Sequence, residues 1–458
     1  MIKLYNTYSR QIEELTPLEP GKVKIYTCGP TVYDYMHIGN WFTFIRYDLL
    51  IRTLKAAGYT PYWVMNITDV GHLTSDADSG EDKLAKKAGI EGKNAWDIAK
   101  FYSDYFLEAL TKLNFIKPDA IPKATEHIAE QIDFITKLEA KGYTYKITDG
   151  IYFDTAKFAK YADFARLDLD EQQAGARVEL NPEKRQPTDF ALWKFSPTDV
   201  KRDMEWDSPW GKGFPGWHIE CSAMCLKYLG KTLDIHSGGI DHIPVHHTNE
   251  IAQSEALNEV ALANIWMHTN HILINDTKIS KSLSNSITLE DLIAKGYSYQ
   301  TLRMLVLESH YRSQSKFSWE SLAAADARLL RYRNFAVRRF QSNGTNELAG
   351  PDLLKDLTND LNTPEALASL EDWLDQAEAM TLSHTTIEAV LQLVDDLFGL
   401  SLSQCADISN ELKQLIIERE SARQVKDYTR ADELRKQLQS ANITVLDTAN
   451  GPLWQYLK

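Results

Sequence analysis

The sequence predicts an α/β chain. A parallel-sheet domain of nucleotide-binding type is interrupted by an inserted α+β subdomain and followed by a helix bundle and a small terminal unit. Three observations carry that expectation. The stretch "KVKIYTC" (22–28) reads as a buried strand that "GP" breaks, residues 40–57 read as a helix, and "TPYWVMNITD" (60–69) reads as the next strand. Strand, turn, helix and strand in that order make one half of a nucleotide-binding layer. Between "PGWHIECSAM" and "HILIND" the alternation resumes, and from residue 320 the apolar spacing turns helical with charges thick along it.

The elements follow in order. Gly58 is placed to stop the first helix. After "KPDAIPK" comes one clear helix, "TEHIAEQIDFITKLEAKG", then short strand-like pieces, "GIYFD" and "FALWKF", which read as an insertion. The bundle contains "ESLAAADARLLRYRNFAVRRF" and "PEALASLEDWLDQAEAM". A polar break, "LSQCADISN", precedes "LKQLIIERESARQVKDYTRADELRKQLQ" and a strand-like "NITVLDT". The expected domains are 1–115 and 206–319 as the two sheet halves, 116–205 as the insertion, 320–402 as the bundle and 403–458 as the terminal unit. No internal repeat or low-complexity tract is present.

Composition narrows the class. With 43% hydrophobic and 25% charged residues among 458, the chain reads as a globular protein large enough for several domains. No run of about 18 apolar residues suggests a membrane span. "MIKLYNTYSR" lacks the apolar core of a signal peptide, so the expected location is cytoplasmic, away from membranes. Four cysteines, Cys28, Cys221, Cys225 and Cys405, are too few and too scattered for a disulfide framework. A net charge of −14 argues against non-specific coating of nucleic acid but allows a local basic stripe.

Chemistry enters at three places. His37-Ile-Gly-Asn40 lies between a strand and a helix, where backbone N–H groups face a phosphate site. Gly39 would let a nucleotide approach the backbone, and His37 could donate to a phosphate as charge develops. "DTKISKSLSN" (276–285) follows a strand and precedes a helix capped at Thr288, with Asp291 three residues on. Its Lys278 and Lys281 flank a serine, and Lys281 would neutralise a pyrophosphate leaving group. Third, seven of the 12 histidines fall between 218 and 271. "VHHTNEIAQS" sets His246 and Glu250 four apart on one helix face. With Cys28 at the end of a first-half strand and Cys221 in the second half, they form an acceptable zinc set. Cys225, one turn beyond Cys221, ranks as core, and Cys405 has no partner.

HIGN and KISKS resemble the paired HIGH and KMSKS signatures of class I aminoacyl-tRNA synthetases, with Asn40 in place of the second histidine. "GWHIEC", "HHTNEIAQS", "NITDVGHL", "AGARVEL", "FALWKF", "WDSPWG" and "DLNTPEAL" extend the match through almost the whole chain. Together they resemble the cysteinyl-tRNA synthetase family. The resemblance implies a Rossmann-like catalytic domain, ATP (with Mg²⁺) and L-cysteine as substrates, tRNA(Cys) as partner and a monomeric enzyme. It implies that Cys28, Cys221, His246 and Glu250 hold one Zn²⁺ that binds the substrate thiolate. Thr68, Trp217, His236 and Asp241 would line the amino-acid pocket or meet the ammonium group, while His37, Gly39, Asn40, Lys278 and Lys281 would serve ATP. The terminal unit would read the anticodon. Two alternatives are a non-catalytic zinc-containing tRNA-binding relative and a cysteine:amino-sugar ligase. Intact Lys278 and Lys281 speak against the first, and the RNA-binding type of tail after 340 speaks against the second. Two basic sets, Arg328, Arg331, Arg333, Arg338 and Arg339, then Arg423, Lys426, Arg430, Arg435 and Lys436, are expected to hold phosphates. Trp454 and Tyr456 are expected to stack on an unpaired base.

Overall fold

The computed structural model describes residues 1–71, 82–167, 181–197, 202–274, 277–278, 286–448 and 451–457. Two compact units divide the chain. The first comprises Met1–Asp291, Tyr311–Lys316 and Thr358–Leu361; the second comprises Leu292–His310, Phe317–Leu357 and Asn362–Lys458.

The first unit is built on a four-stranded sheet in the order Ala263–Thr269, Leu233–Gly239, Lys22–Thr27, Thr60–Met65. Every neighbouring pair is parallel. Lys22–Thr27, the earliest of these four strands in the chain, therefore lies inside, with Thr60–Met65 on one side and a strand some 200 residues later, Leu233–Gly239, on the other. The crossovers leave in opposite directions from this pair, and a crevice opens at the carboxyl ends of Lys22–Thr27 and Leu233–Gly239. Strands buried on both faces explain the unbroken apolar runs in the sequence. Ile25, Tyr26, Val64, Leu233, Ile235, Trp266 and Met267 are all buried.

The helix after the first strand runs Ile38–Ala56, and Gly58 follows its end at φ +87°. Within the insertion, the helix Ile128–Ala140 accompanies an antiparallel sheet of Thr144–Ile147, Gly150–Phe153, Phe190–Phe195 and Gly213–Pro215. That sheet continues past residue 205, where the sequence suggested a boundary.

In the second unit the helices Tyr299–Leu307, Trp319–Ala336, Thr363–Glu378 and His384–Phe398 precede the small terminal element. The charged stretch from 412 divides into Asn410–Gln424 and Tyr428–Ser440, because Lys426 turns at φ +63° and Asp427 caps the second helix. Ile443–Thr448 pairs with Gly451–Tyr456 as an antiparallel ladder.

Much of the expected basic stripe is used internally. Arg331 bonds to Glu371, Asp375 and Glu378, and Arg328 to Glu308 and Glu371. Arg339 is buried against the carbonyls of Ser403 and Cys405. Trp454 is 3% exposed and packs with Val337, Ile416, Leu438 and Ile443, so it is a core residue and not a base-stacking platform. Among the described residues, Lys426, Arg435 and Lys436 are exposed and take part in no described ion pair.

Candidate active site

Two loops zip together at the crevice. Val32 N–H donates to the Thr68 carbonyl at 3.1 Å and Thr68 N–H to the Pro30 carbonyl at 3.0 Å. Asn66 Oδ1 accepts from Gly29 N–H at 2.9 Å, while its Nδ2 donates to Thr68 Oγ1 at 3.1 Å. A Cβ on Gly29 would sit 1.7 Å from the Asn66 carbonyl oxygen, so only glycine permits this approach. Cys28 is thereby fixed at the end of its strand, where its N–H donates to the Ser237 carbonyl of the neighbouring strand.

Cys221 comes from the first turns of the helix Trp217–Leu229. His246 and His247 end a π-helical turn, Ile243–His247, that runs directly into the helix Thr248–Asn258 carrying Glu250. Such turns interrupt the regular ladder and recur at functional sites. The structure brings Cys28, Cys221, His246 and Glu250 together, with one donor atom from each lying within 4.8 Å of every other. All four are buried. Glu250 Oε1 lies 3.0 Å from His246 Nε2, as their four-residue spacing suggested.

A second set, Cys28, His236, His247 and Glu250, meets the same distance criterion. The cavity distinguishes the two. A space of about 260 Å³ is lined by Cys28, Cys221 and His246 but not by His236, His247 or Glu250. A cation in the first set faces the cavity; one in the second is sealed behind it.

The surrounding bonds fit the first set. His218 Nδ1 lies 2.9 Å from His246 Nδ1, which leaves His246 Nε2 pointing at the cluster. His236 Nε2 donates to Glu250 Oε2 at 2.9 Å, leaving Oε1 on the cluster side. His247 Nε2 lies 3.3 Å from Cys28 Sγ, its Nδ1 lies 2.7 Å from His268 Nε2, and His268 Nδ1 lies 2.8 Å from Thr7 Oγ1. One set of neutral tautomers satisfies the whole chain: Thr7 donates to His268, His268 to His247, and His247 to the sulfur. Burial holds both rings well below the ordinary imidazole range, which keeps them neutral.

The electrostatics call for a cation. Cys28 is raised by burial and then by its hydrogen bond to Cys221; that same bond lowers Cys221 to about 7 against the effect of burial. Burial pushes His246 down, yet the charges of Glu250 and Cys221 bring it up to about 10. Glu250 is raised by burial but held well below the carboxylate range by His236 and His246. The Cys28 thiol thus stays protonated and a proton is drawn to His246 beside the ionised Glu250, so protons occupy the place where a metal would sit. Two sulfurs, an imidazole and a carboxylate suit such an ion.

The same cavity reaches the helix start. His37, Asn40, Thr68, Trp217 and Asp241 line it, so the cluster and the HIGN turn share one space. The Trp217 ring lies 4.4 Å from that of His246. Gly39 is in the first turn of the helix. His236 is the exception among the expected pocket residues. It is buried behind Glu250 because alternation in the strand Leu233–Gly239 turns it to the sheet face that the helix Thr248–Asn258 covers. Lys281 lies outside the described residues; Lys278 is described only as backbone in the short strand Thr277–Lys278. Beyond that loop the expected cap is present, with Thr288 N–H donating to Asp291 Oδ2 at 2.8 Å. Sequence reasoning passed over His218, His247 and His268, though the histidine density between 218 and 271 marked the region. It also passed over Asn66, Asp34 and Lys83, which line the cavity.

Comparison with known proteins decides the family. Residues 14–327 match the family model described as the tRNA synthetases class I (C) catalytic domain. The chain belongs to the cysteine–tRNA ligase family of class I synthetases. It is 46% identical to cysteine–tRNA ligase 1 of Burkholderia lata, covering 98% of this chain and 96% of that one. It is 41% identical to the cysteine–tRNA ligase of Treponema denticola, over 100% of both chains. Among solved structures, methionyl-tRNA synthetase of Mycobacterium tuberculosis bound by methionyl-adenylate superposes with a TM-score of 0.59 at 14% identity, covering 84% of this chain and 93% of that one. That likeness shows the shared fold. No described helix is long and apolar enough to cross a membrane.

Proposed function

We propose that this enzyme activates L-cysteine with ATP and transfers it to tRNA(Cys), with zinc at Cys28, Cys221, His246 and Glu250 recognising the substrate sulfur. The observation that carries this reading is the single cavity lined both by the thiol-rich cluster and by His37 and Asn40. An amino acid held by its side chain at one wall presents its carboxylate toward a nucleotide at the other.

Zinc, when bound, supplies a Lewis-acid site that takes a thiolate far better than a neutral hydroxyl. A pocket measuring shape alone would separate cysteine from serine by only about 1–3 kcal/mol. The residues of the chain do the rest. His218 fixes the His246 ring and His236 fixes the Glu250 carboxylate. Trp217, Asp241 and Thr68 line the same cavity; in this reading Trp217 walls the cysteine side and Asp241 and Thr68 meet the ammonium group. The cysteine carboxylate attacks the α-phosphorus of ATP, the bond to the β-phosphate oxygen breaks, and pyrophosphate leaves as its magnesium complex. His37, Gly39 and Asn40 at the helix start hold the phosphates, and Lys278 and Lys281 neutralise the leaving group. A ribose hydroxyl of the tRNA end then attacks the acyl carbon, loses its proton, and releases AMP.

Charging of tRNA with labelled amino acids tests the reading. Cysteine should be attached and serine should not. Equal charging by both, or by neither, contradicts it.

A further inference from the structure

We propose that an aromatic and basic surface beside the cavity takes the unpaired acceptor end of tRNA, with Tyr35 stacking on one of its bases. The proposal rests on the reading of this cavity as the place where the acyl group passes to a ribose of the tRNA, and concerns how that end is held.

Tyr33, Asp34, Tyr35 and Lys83 line the cavity where the loop before the helix Ile38–Ala56 meets the helix Lys83–Glu91. Asp34 Oδ1 accepts from Tyr35 N–H at 2.9 Å and from Lys87 Nζ at 3.1 Å, which pins the loop. The Tyr35 ring stands nearly perpendicular to those of Tyr102, Tyr105 and Phe101, with centroids 5.2, 5.0 and 6.3 Å away. These partners sit on the helix Ala95–Lys112. Tyr105 Oη donates to Glu290 Oε2 at 3.0 Å and Tyr102 Oη to Glu91 Oε1 at 3.1 Å, so the supports are themselves held. Edge contacts of this kind favour one ring orientation. Tyr35 is nonetheless 38% exposed and Phe101 45%. A ring already ordered loses little freedom when a base settles on it.

Lysines run along the same surface. Lys83 Nζ lies 5.8 Å from the centroid of the Tyr33 ring, Lys87 Nζ 5.7 Å from that of Tyr102, and Lys93 Nζ 5.2 Å from that of Phe101. Between residues 83 and 93 the chain carries four lysines against one glutamate, in a protein of net charge −14. Asp34 is paired to Lys87, and Asp82 to Arg202. The series leads outward, since Tyr33 and Lys83 line the cavity while Phe101 and Lys93 lie beyond its wall. Rings with cations between them suit an unpaired strand, whose bases stack while its phosphates meet the ammonium groups. Continuation past the wall favours a strand over a lone nucleotide.

Tyr35→Ala should lower kcat/KM for tRNA in charging at least about fivefold, the smallest effect of losing one stacked base. Cysteine-dependent ATP–pyrophosphate exchange should keep its kcat and its KM for ATP within about twofold in that variant. Tyr35→Phe should charge within about twofold of wild type; Tyr35→Leu, which fills the space against Tyr102, Tyr105 and Phe101 without an aromatic plane, should lose as much as Tyr35→Ala. In filter-binding measurements Tyr35→Ala should weaken retention of an intact tRNA(Cys) transcript and leave that of a transcript lacking the unpaired 3′ end unchanged. Lys83→Ala combined with Lys93→Ala should reduce the salt dependence for the intact transcript by about 1.4 in slope, at ~0.7 for each single-strand phosphate. Charging by Tyr35→Leu equal to wild type would make the ring a structural support, and exchange that falls as far as charging would place it on the nucleotide of ATP; either overturns the proposal. So does an equal loss of binding for both transcripts, or a slope that the lysine variant leaves unaltered. Absence of exchange in the wild type would defeat the proposed function instead, and the two transcripts would still decide the surface.

Discussion

Replacing His218 by alanine should weaken zinc binding without touching a ligand. The His218 ring lies with its Nδ1 2.9 Å from His246 Nδ1, and both residues are 2% exposed. Water cannot readily take its place, so the variant leaves a buried N–H on His246 unpaired and releases the ring to rotate against Trp217. Partners of this kind contribute ~10–100-fold in metal affinity, which at 1.36 kcal/mol per decade is roughly 1.4–2.7 kcal/mol. Burial places the expected loss in the upper half of that range. His218→Asn, whose amide oxygen can stand near the position of Nδ1, should lose less. Competition with a chromophoric chelator measures the affinity, and thermal unfolding of the metal-free variants checks that the fold persists. Affinity within about twofold of wild type in His218→Ala would show that His246 needs no orienting partner and refute the reasoning.

Three further outcomes follow from the same structure. Zinc affinity should fall more than tenfold for each pH unit from about 8 to 6, because the metal displaces protons from His246, raised to about 10, from Cys28, raised by burial, and in part from Cys221, near 7; a flat chelator-competition profile would contradict this. Lys281→Ala should keep zinc but slow pyrophosphate exchange at least about tenfold, the size of one lost charge contact in the transition state; unchanged exchange removes its role. Alanine at Lys426, Arg435 and Lys436 together should leave exchange intact, raise KM for tRNA, and reduce the salt dependence of tRNA binding by about two in slope; an unaltered slope would mean the terminal unit touches RNA elsewhere.

Legibility in the sequence followed the range of the interactions. Strand, turn and helix around Cys28 and His37 were readable because Gly29-Pro30 and the apolar runs are local signals. His246 and Glu250 were paired correctly by helical spacing alone. The sequence reading puts His236 in the pocket, but the strand Leu233–Gly239 is buried on both faces, so its pattern does not say which face borders the cavity. The relay from Thr7 through His268 and His247 to Cys28 joins residues more than 200 positions apart, which only the strand order brings together. Cys225 packs in the core beside Met224 and Leu233, as ranked. The arginines of the bundle were visible, but their acidic partners on the next helix were not. The hairpin strand Gly451–Tyr456 went unread because its opening Gly-Pro looks like a terminator.

The most direct test of the account is cysteine-dependent ATP–pyrophosphate exchange measured on enzyme as purified, after chelator removal of metal, and after zinc is restored. The account predicts that exchange is lost with the metal and returns with zinc, while the helix content of the stripped protein is unchanged. Exchange that persists at full rate in verified zinc-free enzyme would contradict it, because the four buried ligands would then have no part in holding the substrate.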